Sequence, residues 1–214
     1  MLTPQVPVAK EGYPFIGFAF FCTLILALFG LPIATAVSFA AATFVLCFFR
    51  DPERFSPTAP DAVVSPADGK IIHIGTMAEN PFTEKEALKV SIFMNVFNVH
   101  VNRVPFAGKV EKVVYRPGAF YSADSSKGGL ENEYCATVIT TPQGNSLAFV
   151  QIAGLIARRI VCWLEPGDEI VRGRRFGLIR FGSRVDLYLP PGVAVKVQEG
   201  DKVRAGETVL GYLQ

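Results

Sequence analysis

"EPGDEIVRGRRFGLI" at 165–179 and "QEGDKVRAGETVLGYL" at 198–213 are approximate copies of one another. Each holds Gly-Asp, then a β-branched residue, then a glycine three residues further on. Such a unit reads as a tight turn with a strand on either side, because glycine adopts turn conformations closed to other residues and aspartate bonds to nearby backbone. A turn unit used twice in the last third of a chain is the pattern of a lipoyl-type barrel-sandwich hybrid. In that reading both Gly-Asp pairs are structural. The same style of sequence extends upstream: from Asp51 onward, short apolar runs are separated by glycine and proline. Residues 63–64, 71–74, 90–93, 110–115, 137–140, 147–152, 160–164, 176–179, 185–189 and 193–197 are expected as strands, and helical stretches are few. The fold class expected is mainly β (α+β), with a barrel-sandwich hybrid-like body over 51–214.

The first quarter of the chain is different. Over 214 residues the hydrophobic content is 50% and the mean hydropathy +0.33, high for a soluble domain. The excess lies in two uncharged runs, 13–29 and 31–49, each near the roughly 18 to 20 residues needed to cross a bilayer. Gly30-Leu31-Pro32 separates them as a turn. A secretory signal would have one such run and a small-residue cleavage site, so a membrane-associated helical hairpin at 12–50, after a short tail at 1–11, fits better. A buried helical pair and a shallow re-entrant hairpin are the alternatives. Lys10 precedes the first run and Arg50 and Arg54 follow the second, which puts both ends, and the body with them, on the cytoplasmic face of the cell membrane.

Cys22 and Cys47 fall in the apolar runs, Cys135 and Cys162 are far apart in sequence, and no C-x-x-C occurs. That usage fits a reducing compartment and implies neither a disulfide nor a metal site. The formal net charge of +2 is unremarkable, and no nucleic-acid partner is expected. Positive charge does concentrate in Arg158, Arg159, Arg172, Arg174, Arg175, Arg180 and Arg184. Such a cluster suits an anionic lipid surface, or a solvated basic face.

Within that cluster, "RRFGLIRFGSRVDLYLP" at 174–190 contains Gly182-Ser183. A serine hydroxyl that attacks the preceding carbonyl turns the amide into an ester, and a glycine there leaves room for the approach. Loss of the serine α-proton then expels the Gly182 carboxylate by β-elimination. Water converts the resulting dehydroalanine into a pyruvoyl group at the new N-terminus. That group condenses with a substrate amine and accepts the electron pair freed when carbon dioxide leaves, the electron-sink role of a cofactor. A Gly-Ser pair alone is an ordinary turn.

Residues 151–190 closely resemble the phosphatidylserine decarboxylase proenzyme family in its short bacterial and archaeal form. "VVSPADGKI" at 63–71 is similar to its aspartate motif, "SIFMNVFNVHVNRVPFAG" at 91–108 to its histidine motif and "SSKGGLENEY" at 125–134 to its acidic loop. The resemblance implies self-cleavage at Gly182-Ser183, giving subunits 1–182 and 183–214 that stay associated, with Ser183 becoming the covalent pyruvoyl cofactor. It implies phosphatidylserine in the membrane as substrate and phosphatidylethanolamine as product. His100 becomes the candidate base for the Ser183 hydroxyl and Asp68 the carboxylate that orients it. His73 reads as a strand residue facing solvent or a polar neighbour. Arg103 stands where larger members carry a second histidine, and is a candidate contact for phosphate or carboxylate. Arg184 stands where larger relatives tend to have threonine, and "ENEYC" where many have "ENER". A homo-oligomer is possible for such a chain. Two other readings share these residues: a lipoyl- or biotinyl-like carrier module, which lacks a modifiable lysine flanked by methionine, and a non-cleaving serine hydrolase, which lacks a G-x-S-x-G elbow.

Overall fold

The computed structural model describes residues 6–123, 129–155, 159–180 and 182–213. The chain divides into two compact units, Met1–Glu53 and Arg54–Gln214.

In the first unit a 3₁₀ turn at Lys10–Gly12 leads into α1 (Tyr13–Leu28), and α2 (Pro32–Phe48) follows. Each helix carries proline in its first turn, where the missing N–H would have had no partner. Gly30, at φ +67°, makes the reversal between them. The helices meet through small and polar side chains: Thr23 Oγ1 and Ser38 Oγ share a hydrogen bond of 2.8 Å. Val8 pairs with Arg50, so both ends of the helical pair lie together. Phe18 is 69% exposed and Ile33 81%, with Phe21, Leu28 and Val37 similarly outward. Large apolar groups shown outward in this number are unlike the mostly buried helices of a soluble core. The two runs are unequal. Lys10–Leu28, at 19 residues, is long and apolar enough to cross a membrane, whereas Pro32–Phe48 is a shorter apolar helix.

The second unit is built of strands: β1 (Ala62–Val64), β2 (Gly69–Met77), β3 (Ala87–Met94), β4 (Val101–Arg103), β5 (Gly108–Arg116), β6 (Tyr134–Thr140), β7 (Ser146–Ala153), β8 (Ile160–Cys162), β9 (Glu169–Ile170), β10 (Arg175–Ile179), β11 (Ser183–Leu189), β12 (Ala194–Val195), β13 (Lys202–Val203) and β14 (Val209–Tyr212). The large sheet runs β13-β2-β3-β11-β7-β6-β5-β9, and smaller ones run β4-β10-β8 and β1-β14-β12. The mainly β body with an N-terminal helical pair is the expected class. β4 escaped the sequence reading, because its three residues lie inside a polar motif.

The two echoed turns have the same backbone. Gly167 and Gly200 sit at φ +98° and +97°, Gly173 and Gly206 at +79° and +74°. Asp168 accepts the Glu165 N–H at 2.9 Å, and Asp201 accepts the Gln198 N–H at the same distance. The strand after each turn pairs with a Gly-Lys step: Ile170 and Glu169 face Gly108 and Lys109, while Val203 and Lys202 face Gly69 and Lys70.

Two cores flank the large sheet. β11 lies at its middle, paired with β3 and β7 on either side, and all its residues are buried. Val185, Leu187 and Leu189 enter the main core with Phe149, Phe176 and Ile92. On the opposite face Tyr188 packs with Phe82, Tyr134 and Val150, and beside it lies a buried charge cluster. Asp186, fully buried, receives Arg184 through Nε and Nη2, and Lys89 Nζ stands 3.1 Å from its Oδ2. Ser91 Oγ accepts a further bond of 2.9 Å from Arg184. Arg172 donates to the carbonyls of Pro57, Ala59 and Ala62 at 2.6 to 2.7 Å. These two arginines therefore leave the surface cluster expected from sequence, since internal acceptors hold them. Replacing Asp186 by alanine would strand a buried guanidinium. The expected loss is about 3 to 5 kcal/mol of stability, read by denaturant unfolding of the body, with a change below about 1 kcal/mol excluding a cluster that matters.

Candidate active site

Ser183 is the first residue of β11, opposite Met94 on one side and Ala153 on the other. Gly182 before it has φ +66°, a left-handed conformation that side-chain-bearing residues rarely adopt. Its carbonyl oxygen lies against Gly154, where any Cβ would overlap it. The Ser183 hydroxyl is fully buried and donates to Met94 Sδ at 3.4 Å, a weak acceptor that leaves the oxygen's lone pairs open. Behind the thioether, Asn102 Nδ2 approaches the same sulfur at 3.7 Å, and Gln151 donates to Asn102 Oδ1 at 2.9 Å.

The chain leaving β3 bends back at Asn95–Asn98, with the Asn98 N–H on the Asn95 carbonyl at 3.0 Å, and delivers His100. His100 is buried, and its Nδ1 lies 3.0 Å from the Asn98 carbonyl. A carbonyl only accepts, so Nδ1 carries the proton and Nε2 holds the lone pair. The N–H of Ile179, four residues before Ser183, points to the His100 carbonyl at 3.4 Å. Asp68 precedes β2 at this same end of the sheet. Its Oδ1 accepts the Ala205 N–H at 2.7 Å and its Oδ2 the Arg54 guanidinium at 2.9 Å. Topology thus gathers Ser183, His100 and Asp68 at one sheet end, while the polar partners of His100 Nδ1 and of the Asp68 carboxylate are different groups.

Arg103 is buried, donates to the Gly173 carbonyl at 3.0 Å and packs its stem on Gly206, between the two echoed turns. His73 is half exposed beside Glu199, at 3.5 Å, as its place in an alternating strand suggested. Of the acidic loop, Ser125–Gly128 lie outside the described residues, as do Arg158 and Phe181 of the basic stretch. The loop's Asn132 has a position: its amide donates to the carbonyls of Ala153 at 2.8 Å and Tyr121 at 2.9 Å, tying the loop to the end of β7 beside Ser183. Gly154, Met94 and Asn98 went unremarked in the sequence, since nothing local marks a glycine for a distant carbonyl or a methionine for a hydroxyl.

The fold and site together define a mainly β protein with a buried serine at the start of a central strand, preceded by a left-handed glycine. The sequence model of the family described as phosphatidylserine decarboxylase matches residues 41–211. Over the full length of both chains the protein is 65% identical to the phosphatidylserine decarboxylase proenzyme of Desulfotalea psychrophila. It is 48% identical to the one of Geotalea uraniireducens and 50% identical to the one of Geobacter metallireducens, again over 100% of each chain. The chain belongs to the phosphatidylserine decarboxylase family.

Cys135 and Cys162, distant in sequence, are brought together where β6 meets β8, and both are free thiols. The Cys135 thiol bonds to the Cys162 sulfur, which lowers Cys162 to about 7, with the Leu164 N–H and the Thr137 hydroxyl, at 3.9 Å, helping against burial. The same bond, then burial, pushes Cys135 upward. A depressed thiol is thiolate at lower pH, so alkylation of Cys162 should rise through a midpoint near pH 7. Peptide mapping of iodoacetamide-treated protein reads this directly. Cys135→Ala should move the midpoint toward the usual thiol range, and a wild-type midpoint already in that range would show that the pairing does not act.

Proposed function

We propose that the protein converts phosphatidylserine to phosphatidylethanolamine using a pyruvoyl group made from Ser183, after breaking its own Gly182-Ser183 bond. The observation that carries this is the backbone at the bond itself: a left-handed Gly182 whose carbonyl is pressed on Gly154, followed at once by a buried serine hydroxyl with only a thioether as acceptor. Membership of the family supports the substrate and product.

The residues fit the group. His100 takes the Ser183 proton at Nε2, the nitrogen that its Asn98 contact leaves as acceptor. The Ser183 oxygen then attacks the Gly182 carbonyl carbon, the amide C–N bond breaks, and the amine leaves with a proton. Loss of the Ser183 α-proton breaks the Cβ–O bond and releases the Gly182 carboxylate, and water then removes ammonia. Once formed, the pyruvoyl carbonyl supplies the electron sink for decarboxylation. Asp68 serves through charge and placement: it holds the Ala205 turn and Arg54 at the mouth of the site. The smaller product, 183–214, stays with the larger because β11 is paired on both sides. The two apolar helices hold the protein at the cell membrane. Their joined, cationic ends, Lys10 and Arg50, lie on the cytoplasmic side with the catalytic body.

Intact mass spectrometry tests this. Purified protein should be two chains, the smaller starting at position 183, blocked at its N-terminus and lighter than the simple hydrolysis product by one ammonia. Ser183→Ala should remain whole. His100→Ala and Gly154→Val should process at least tenfold more slowly, the second by displacing the Gly182 carbonyl. A single uncleaved chain that releases carbon dioxide from phosphatidylserine would overturn the reading, and an uncleaved chain hydrolysing esters would favour a serine hydrolase.

A further inference from the structure

The two echoed turns share a backbone but not a charge pattern. In the first, Glu169 stands opposite Lys109 across the antiparallel pair. In the second, the equivalent position is Lys202, and it stands opposite Lys70. Like charges directly opposite destabilise a strand pair, and the first copy shows that the fold does not require them. Two positions after the aspartate-adjacent residue the difference recurs: Val171 in the first copy corresponds to Arg204 in the second. Among the described residues neither lysine has an acidic partner. Arg204 reaches only Glu207, at 3.9 Å, whose same oxygen Arg54 holds at 3.0 Å.

These three cations line one cavity of about 390 Å³, together with Asp68, Asn95 and Asn98. The one carboxylate in it is already neutralised by Arg54 and the Ala205 N–H. The cavity lies at the end of the sheet where β11 begins. Lys70 pairs with Phe93, the neighbour of Met94, and Met94 pairs with Ser183. β2 is two strand spacings from β11, roughly 10 Å. Asn98 belongs both to this cavity and, through its carbonyl, to His100.

We infer that Lys70, Lys202 and Arg204 form an anion site that takes the phosphodiester of the lipid whose headgroup reaches Ser183. A phosphate oxygen between the two ammonium groups removes the repulsion that the empty pair carries, and the asparagine amides add neutral donors. The assignment to the lipid rests on the decarboxylase reading. Free phosphate offers the same chemistry.

Steady-state release of carbon dioxide from phosphatidylserine in non-ionic detergent micelles separates the cases. Lys202→Glu recreates the pairing of the first copy, so its thermal midpoint should be equal to or above that of wild type. Its apparent KM should nevertheless rise at least about tenfold, with kcat within about twofold, since a ground-state contact is lost. Lys70→Gln should raise KM severalfold, while Lys109→Gln, the equivalent lysine of the first copy, should leave it unchanged. Inorganic phosphate should compete with the lipid in wild type and do so at least about tenfold more weakly in Lys202→Glu. An unchanged KM in Lys202→Glu overturns the proposal, and so does phosphate that binds without competing, which would mark a site for the free ion alone. Failure of the underlying reading looks different: wild type would release no carbon dioxide at all. Phosphate binding by calorimetry, wild type against Lys202→Glu, then still decides whether the anion site exists.

Discussion

The two-sided pairing of β11 is the constraint on which the site depends. A slip of one residue would carry Arg184, Asp186 and Tyr188 into the main core and bring Val185, Leu187 and Leu189 out beside Lys89 and Ser91. Both exchanges are costly, because one face accepts only apolar groups and the other has built its charges around a fully buried carboxylate. Register is therefore held along the strand, and with it the identity of the residue at its first position. Ser183 falls at that position and Gly182 just outside, so the sheet itself presents the bond between them. Chemistry that would need a precise approach of a hydroxyl to its own neighbouring carbonyl is placed where backbone freedom is least.

That position also bears on how the Ser183 hydroxyl tolerates burial. A hydroxyl inside a protein needs a hydrogen-bond partner, but a strong one would hold its oxygen too well to attack anything. The Met94 thioether satisfies the proton weakly and leaves the lone pairs unoccupied. Asn102 approaches that sulfur through its amide, and Gln151 holds Asn102 in place. The imidazole follows the same economy. By pointing Nδ1 at the Asn98 carbonyl, His100 acquires a defined tautomer from the backbone.

Much of this could be read in the chain. Alternating or short apolar runs between glycines located the strands, the echoed Gly-Asp turns gave their symmetry, and two uncharged runs revealed the helical pair. What stayed hidden depends on distance across the fold. Cys135 and Cys162 carry no local spacing signal, and only the packing of β6 against β8 makes them neighbours. Arg172 and Arg184 look like surface cations in sequence, but whether an arginine meets lipid or a buried aspartate is decided by the face its strand turns inward. Asp68 reads in sequence as a partner for His100, yet its oxygens belong to Arg54 and Ala205, contacts spanning 14 and 137 residues.

The internal echo offers a way to tell scaffold from site without any second protein. Where the two turns agree, in Gly167 and Gly200 or in the aspartates that accept an N–H three residues back, the shared residue does a backbone job that both copies need. Where they disagree, the backbone is the same and the difference cannot be demanded by it. The departures in the second copy are Lys202 for Glu169 and Arg204 for Val171, and in the strand it pairs with, Asp68 stands where Ala107 precedes the first Gly-Lys step. All three line one cavity at the end of the sheet that carries Ser183. A turn used twice needs its shared residues in both copies, and the charges that only the second copy carries are ones that the fold alone does not explain.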